Sequence, residues 1–473
     1  MSKIYITTAI PYANGNPHVG HAMDYCLSDA YARYHKMLGD DVRFQAGTDE
    51  HGNKILKKAN EAGIDVKTYT DQTSQTFKDF IGALNVEYTD FIRTTDEDHV
   101  RRCQEIWKKL EDHIYSAKYE GWYCAGCESF VTEKEYEENH GVCPDHQKPY
   151  EKIAEENYYL RISDFKDQIA EAIKSDTMKI LPEFRKNEVL NLLADSPDVS
   201  ISRPKSQVAW GIPVPTDENQ VMYVWLDALS NYITVLGYPD NDISEWWPAD
   251  VQFVGKDILR FHTIIWPAIL IGLGLPLPKV ITSHGFIMAN GQKMSKSVGN
   301  VVDPMEIIAK HGVEPFRYFF LRHVDSFLDA DFTWEKFEDA YSNELANDLG
   351  NLVQRLATMV RKNEVAAISD FKGTIPEEYT KYMDNFESNK AFDFAWDKVQ
   401  AINKRIDDEK PWMLAKAGET EKLTTCLTSL MNDLLAASYL LKPFLPETSA
   451  KIYDIFTDKN GVTPPETPLF PKN

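Results

Sequence analysis

The chain has 473 residues, more than a single domain usually holds, and 43% of them are hydrophobic, enough for two to four packed cores and too many for a disordered polymer. A formal net charge of −22 excludes a protein that coats nucleic acid nonspecifically, because counterion release needs lysine and arginine clustered on the binding face. Six cysteines, half of them in one cluster, and an amino terminus without a secretory pattern predict a cytoplasmic protein.

Residues 4–10 read as a buried strand, 11–17 as a turn-rich segment and 22–38 as a helix. The tetrad His18-Val19-Gly20-His21 therefore falls at a helix start, where unpaired backbone N–H groups and a partial positive charge suit a phosphate. Strand-like and helix-like segments alternate over 1–114, and the alternation returns in 204–289 with 208–214 and 251–255, which predicts a doubly wound α/β domain of Rossmann type. Between the halves, 115–203 has a different composition, with acidic runs and amphipathic helices such as 165–174, and reads as an insertion. Within it, Cys124 and Cys127, then Cys143 and His146, form two pairs with two residues inside each, a spacing that closes on one tetrahedral ion. One structural zinc per chain is expected, and His140 breaks the pair spacing. Cys26, Cys103 and Cys426 are expected in packed interiors.

The apolar stretch 261–277 contains His262, Pro267 and Pro276, and predicts a buried helix with its exit loop, since a membrane span needs roughly 20 apolar residues. Gly291-Gln292-Lys293-Met294-Ser295-Lys296-Ser297 reads as a mobile cationic loop for a polyphosphate, inside a segment 290–335. From there the pattern turns helical, with 337–362 and 390–408 as long stretches and Pro411 and Pro443 as punctuation, so 336–473 is expected to be a bundle.

Together the histidine tetrad and Lys293-Met294-Ser295-Lys296-Ser297 resemble the His-Ile-Gly-His and Lys-Met-Ser-Lys-Ser motifs of class I aminoacyl-tRNA synthetases, with Val19 standing for isoleucine. Residues 9–14, Gly47-Thr48-Asp49-Glu50-His51-Gly52 and 224–232 make the chain most similar to the methionyl family, from residue 4 to about 444. That resemblance implies activation of L-methionine by ATP with Mg²⁺ to methionyl-adenylate, then transfer to tRNA(Met), initiator included. The carboxylate attacks the α-phosphorus directly, so catalysis is positioning and charge stabilisation.

By the resemblance, His18 and His21 contact ATP phosphates, Gly20 makes room for adenine, and Lys293 and Lys296 hold the outer phosphates, with Asn14, Ser295 and Ser297 alongside. Gly291 lets the loop close. Lys256 and Asp257 border the ATP site, although a salt-bridged helix start explains them equally well. Ala9, Ile10, Tyr12, Trp225, Ala228, Leu229, Tyr232 and His284 wall the methionine pocket, with the Tyr12 hydroxyl or the His284 imidazole donating to the sulfur, and Asp49 takes the ammonium. In the helical region Asn351, Arg355 and Trp412 match the places where the family reads the anticodon, Trp412 by stacking on an unpaired base. Cysteinyl-tRNA synthetases share both phosphate motifs but take a zinc ligand ahead of the histidine motif, where this chain has no cysteine. The end at Asn473 leaves no room for the dimerisation module of some relatives, so a monomer without a membrane partner is expected.

Overall fold

Six parallel strands form the central sheet of the computed structural model, which describes residues 2–127, 129–294 and 302–472. Their order is Asp90–Arg93, Asp41–Thr48, Lys3–Thr8, Val251–Gly255, Val280–His284 and Lys179–Leu181. A parallel sheet must be covered on both faces, and accordingly Val251–Gly255 is buried throughout and Lys3–Thr8 over its last four residues. The chain winds outward from Lys3–Thr8 on one side and from Val251–Gly255 on the other. A crevice therefore opens beyond the carboxyl ends of these two neighbours, the place where open α/β sheets bind ligands.

Helix Val19–Leu38 starts three residues before the expected 22 because His18 caps it, and the first strand stops at Thr8 although the Ala9 N–H still donates to the Phe253 carbonyl (3.0 Å). The expectation of a strand over 208–214 needs correction. Only Pro213–Val214 is extended, and it pairs antiparallel with Asp217–Met222 outside the central sheet. The chain before it is irregular because Trp210 docks sideways, donating from Nε1 to the Glu50 carbonyl (2.6 Å) and accepting from the Gly52 N–H (2.9 Å).

Inside the stretch 115–203, an antiparallel sheet places Ser129–Val131, Ile114–Cys124, Glu151–Leu160 and Val199–Ser200 side by side. The three-residue strand Lys179–Leu181, flanked by helices Lys166–Lys174 and Phe184–Asp195, joins the edge of the central sheet. The apolar 261–277 stretch folds as a buried π-helical turn, Phe261–Ile265, running into helix Trp266–Gly272; among the described residues no helix is long and apolar enough to cross a membrane. Cys26, Cys103 and Cys426 are buried.

The carboxy-terminal region is helical, led by Trp334–Asp339, the π-helical Ala340–Gly350 and Asn351–Lys362 in succession, then Ser388–Glu409, Thr420–Leu441 and Pro446–Thr457. Lys410, at φ 47°, ends one helix so that Pro411 can begin the next. The buried Arg317 joins this region to helix Val19–Leu38. Its Nη2 meets Asp29 Oδ2 at 2.7 Å, and its guanidinium donates to the Phe444 (2.8 Å) and Pro443 (3.0 Å) carbonyls. Breaking a buried pair costs about 3–5 kcal/mol, which makes the joint stiff.

Candidate active site and metal centre

At the head of helix Val19–Leu38 the two tetrad histidines cap each other's backbone. His18 Nδ1 accepts from the Gly20 N–H (3.1 Å) and His21 Nδ1 accepts from the His18 N–H (3.2 Å), while the rings stack with centroids 3.8 Å apart. An Nδ1 that accepts must leave the ring hydrogen on Nε2, so both imidazoles are Nε2–H donors. A Cβ on Gly20 would stand 2.9 Å from the His18 ring, so glycine here has a local reason as well as any ligand-related one. Burial, then the neighbouring His18 and His284, holds His21 well below the usual imidazole range.

Around the crevice, Asp49 and Tyr12 pair as an isolated parallel bridge, the Asp49 N–H donating to Pro11 O (2.9 Å) and the Ala13 N–H to Asp49 O (2.8 Å). The Asn14 N–H donates to Tyr12 O (2.8 Å). Gly52, at φ 114°, packs so close to the Tyr12 hydroxyl that a Cβ would overlap it. Ala9 and Ile10 follow the first strand here. Trp225, Ala228, Leu229 and Tyr232 lie on helix Val224–Thr234 at spacings of three, one and three residues, hence on one face. The Trp225 ring stacks on Phe261 with centroids 3.5 Å apart.

The hydroxyl of Tyr232 lies 2.8 Å from His262 Nε2, and His262 Nδ1 donates to the Ile258 carbonyl (3.0 Å). Burial pushes His262 down to about 4, so it is neutral and Nε2 accepts the Tyr232 hydrogen.

His284 differs from the expectation. Its Nε2 is 2.8 Å from Asp24 Oδ1 and its Nδ1 is 2.7 Å from Gly285 O. Burial works against its charge, but the Asp24 carboxylate outweighs it and raises the imidazole to about 9. Both ring hydrogens are thus spent on oxygen, and in this arrangement His284 has none for a sulfur. Asp24 escaped the sequence reading although it lies three residues beyond His21, on the same helix face.

A group raised from 6.5 to about 9 on folding contributes stability that is complete below pH 6.5 and is lost as pH rises through 9. The stability advantage of the wild type over Asp24→Asn should shrink by on the order of 3 kcal/mol across that window, measured by urea unfolding. An advantage that stays flat from pH 6.5 to 9.5 would contradict the pairing.

Just past strand Val251–Gly255, Lys256 Nζ is 2.6 Å from Asp329 Oδ1, and that oxygen also accepts from the Phe286 N–H (2.9 Å). Lys256 thus carries a salt bridge, and Asp257 Oδ1 lies over Gly255, 2.7 Å from where a Cβ would stand. Asn290 and Gly291, at φ 53° and 72°, turn the hairpin Ile287–Ala289 / Gln292–Lys293. Gly291 is thus a turn residue, anchored by its N–H to Asp331 Oδ1 (2.7 Å). Ser295, Lys296 and Ser297 lie outside the described residues.

The four ligand atoms of Cys124, Cys127, Cys143 and His146 all lie within 4.8 Å of one another. Cys127 Sγ is 3.5 Å from Cys143 Sγ and 3.4 Å from His146 Nδ1, and Cys143 Sγ is 3.6 Å from that nitrogen. A disulfide needs about 2.05 Å, whereas bonds of about 2.3 Å to sulfur and 2.0 Å to nitrogen around a tetrahedral zinc put ligand atoms roughly 3.5–3.8 Å apart. The donor set fits that ion. Gly126, the turn residue of the first pair, has a packing reason too, since a Cβ there would overlap the His146 ring. Its carbonyl accepts from Lys54 Nζ (2.7 Å), and Lys54 lies over the Tyr12 ring, so the knuckle sits against the crevice.

Asn351, Arg355 and Trp412 belong to the helical region. Asn351 opens helix Asn351–Lys362, Arg355 Nη1 is 3.3 Å from Asp407 Oδ1, and Trp412 is 45% exposed beside Pro411.

The sequence profile of the class I tRNA synthetases (M) matches residues 4–154 and 145–357. The methionine–tRNA ligase of Clostridium acetobutylicum is 43% identical over 471 aligned residues, covering 95% of this chain and 72% of the relative. Mycobacterium tuberculosis methionyl-tRNA synthetase in complex with methionyl-adenylate superposes with a TM-score of 0.92 at 34% identity over the whole of both chains. The apo form of that enzyme gives 0.85 at 32% identity, over 100% of this chain and 98% of that one. With a family profile that covers residues 4–357 and relatives that match along nearly its full length, the chain belongs to the methionyl family of class I tRNA synthetases.

Proposed function

We propose that this chain is a methionine–tRNA ligase, which joins L-methionine to ATP as methionyl-adenylate and then esterifies the terminal adenosine of tRNA(Met), initiator and elongator alike. The observation that carries the reading is the convergence of Asp49, the aromatic face of Val224–Thr234 and the two tetrad Nε2–H donors on the carboxyl ends of adjacent strands. Asp49 takes the substrate ammonium. Ala9, Ile10, Tyr12, Trp225, Ala228, Leu229, Tyr232 and His284 enclose the thioether, His284 as a charged wall held by Asp24.

His18 and His21 donate to phosphate oxygens as charge develops in the transition state, and the helix dipole behind them acts in the same direction. Asn14, Gly20 and Asp257 border the nucleotide, and Lys256 does so through its bond to Asp329. Lys293, Ser295, Lys296 and Ser297 hold the outer phosphates, and Mg²⁺ bound with ATP would neutralise part of their charge. Zinc on Cys124, Cys127, Cys143 and His146 would staple the insertion, and four protein ligands leave no open position for chemistry.

We divide the chain into a catalytic domain in two halves, 1–114 and 204–289, an insertion 115–203, a stem-contact segment 290–335 and an anticodon domain 336–473. It works as a cytoplasmic monomer. Trp412→Ala should lower tRNA charging about 10- to 100-fold, since stacking on a base is worth about 1–3 kcal/mol. ATP–pyrophosphate exchange should stay unchanged; an equal fall in exchange would remove Trp412 from anticodon reading.

A further inference from the structure

Helix Val224–Thr234 carries a second stripe that neither the motifs nor the pocket uses. Asp227, Asn231 and Thr234 recur at four and three residues, and at about 100° per residue they lie on the side opposite Trp225, Ala228, Leu229 and Tyr232. All three are fully buried, which is rare for such side chains unless each has partners. Each has them, and on different elements. Asp227 Oδ2 accepts from His51 Nδ1 (2.7 Å), two residues from Asp49; its Oδ1 accepts from His99 Nε2 (2.8 Å), on helix Glu97–Lys109. His99 Nδ1 returns to Thr234 Oγ1 (2.7 Å), and Asn231 Oδ1 accepts from Gln45 Nε2 (2.7 Å), on the strand that leads to Asp49.

His99, Cys103 and Asp227 also lie close enough to suggest a metal site. The distances argue otherwise: 2.8 Å between His99 Nε2 and Asp227 is a hydrogen bond, and burial drives the Cys103 thiol well above its ordinary range, away from the thiolate a metal requires. The cluster is a proton-bearing relay. Burial opposes ionisation of Asp227, but His51 and His99 outweigh it and hold the carboxyl down at about 2, so the anchor is charged at every working pH.

We propose that Asp227 is a positioning residue for amino-acid selection, fixing the rotation of helix Val224–Thr234 against the Asp49 loop through His51, His99 and Thr234. The inference rests on the methionine pocket assigned above. Ammonium site and thioether wall lie on separate segments, and the relay is what sets the distance between them. A small rotation of the helix would change the depth of the pocket by about the size of a methyl group, the scale on which methionine and its shorter and longer analogues differ. Hydrophobic discrimination of one such group is worth only about 10- to 200-fold, so it is easily lost to a loose wall.

The test is ATP–pyrophosphate exchange with methionine, homocysteine and ethionine, comparing wild type, Asp227→Asn and the milder Thr234→Val, with ATP varied separately and melting recorded. Asp227→Asn should raise KM for methionine at least about ten-fold with KM for ATP unchanged, and should lower the preference for methionine over both analogues about ten-fold. Thr234→Val should shift selectivity in the same direction by about three-fold. If Asp227→Asn fails to fold, Thr234→Val carries the test. Exchange in which both variants keep the wild-type preference, or lose all amino acids and ATP alike, would overturn the relay. Wild type that shows no methionine-dependent exchange would instead overturn the pocket assignment on which it rests.

Discussion

His21→Ala should lower the turnover of ATP–pyrophosphate exchange by about 10²–10³-fold, the usual loss when one preorganised donor to a developing phosphoryl charge is removed. KM for methionine should move by less than about three-fold, because the loss falls on the transition state. The size follows from how little His21 must reorganise. Its Nδ1 is already committed to the His18 N–H, its ring is stacked on His18, and its depressed pKa keeps it neutral, so Nε2–H is an aimed dipole before ATP arrives. The deficit should therefore be the same at pH 6.5 and pH 8. His21→Gln, which can place an amide N–H near the Nε2 position, should recover part of the rate. A deficit that appears equally in methionine binding would contradict the phosphate role.

Removing the metal should unfold the tip of the insertion while the central sheet persists. The apolar cluster at that tip has three buried members, Cys124, Cys143 and Tyr150, two of them ligands, with Trp122, Cys127, Val131 and Tyr136 half-buried around them. Such a cluster cannot offset the entropy of ordering its chain without a staple. Structural zinc contributes apparent free energies of about 10–16 kcal/mol, more than enough. The central sheet keeps separate cores of its own. Metal analysis should return one zinc per chain. Chelation should make three thiols reactive and change the fluorescence of Trp122, whose ring stacks on Tyr136 at 3.9 Å. Thiols that react equally with and without chelator would contradict the staple.

What the sequence disclosed was set by range. The tetrad and the cysteine pairs are local patterns, and each obeys a short-range rule that needs no partner. The parallel sheet was legible because strands buried on both faces read as apolar runs. Lys179–Leu181 was hidden by its length, three residues in a stretch of unlike composition, and joins the sheet through pairing with Val280–His284 alone. The stretch 208–214 looked like a strand because its valines and isoleucine suit one, yet Gly211 and Pro213 and the docking of Trp210 on Glu50 prevent it. Asp24 beneath His284 and Asp227 between His51 and His99 escaped because their partners are 260, 176 and 128 residues away. Tertiary structure brings those charges together.

The central claim is that this crevice activates methionine. Purified protein should catalyse exchange of pyrophosphate into ATP when methionine is supplied and not with any other proteinogenic amino acid tested singly, without tRNA. Exchange driven by a different amino acid, or by none, would contradict it.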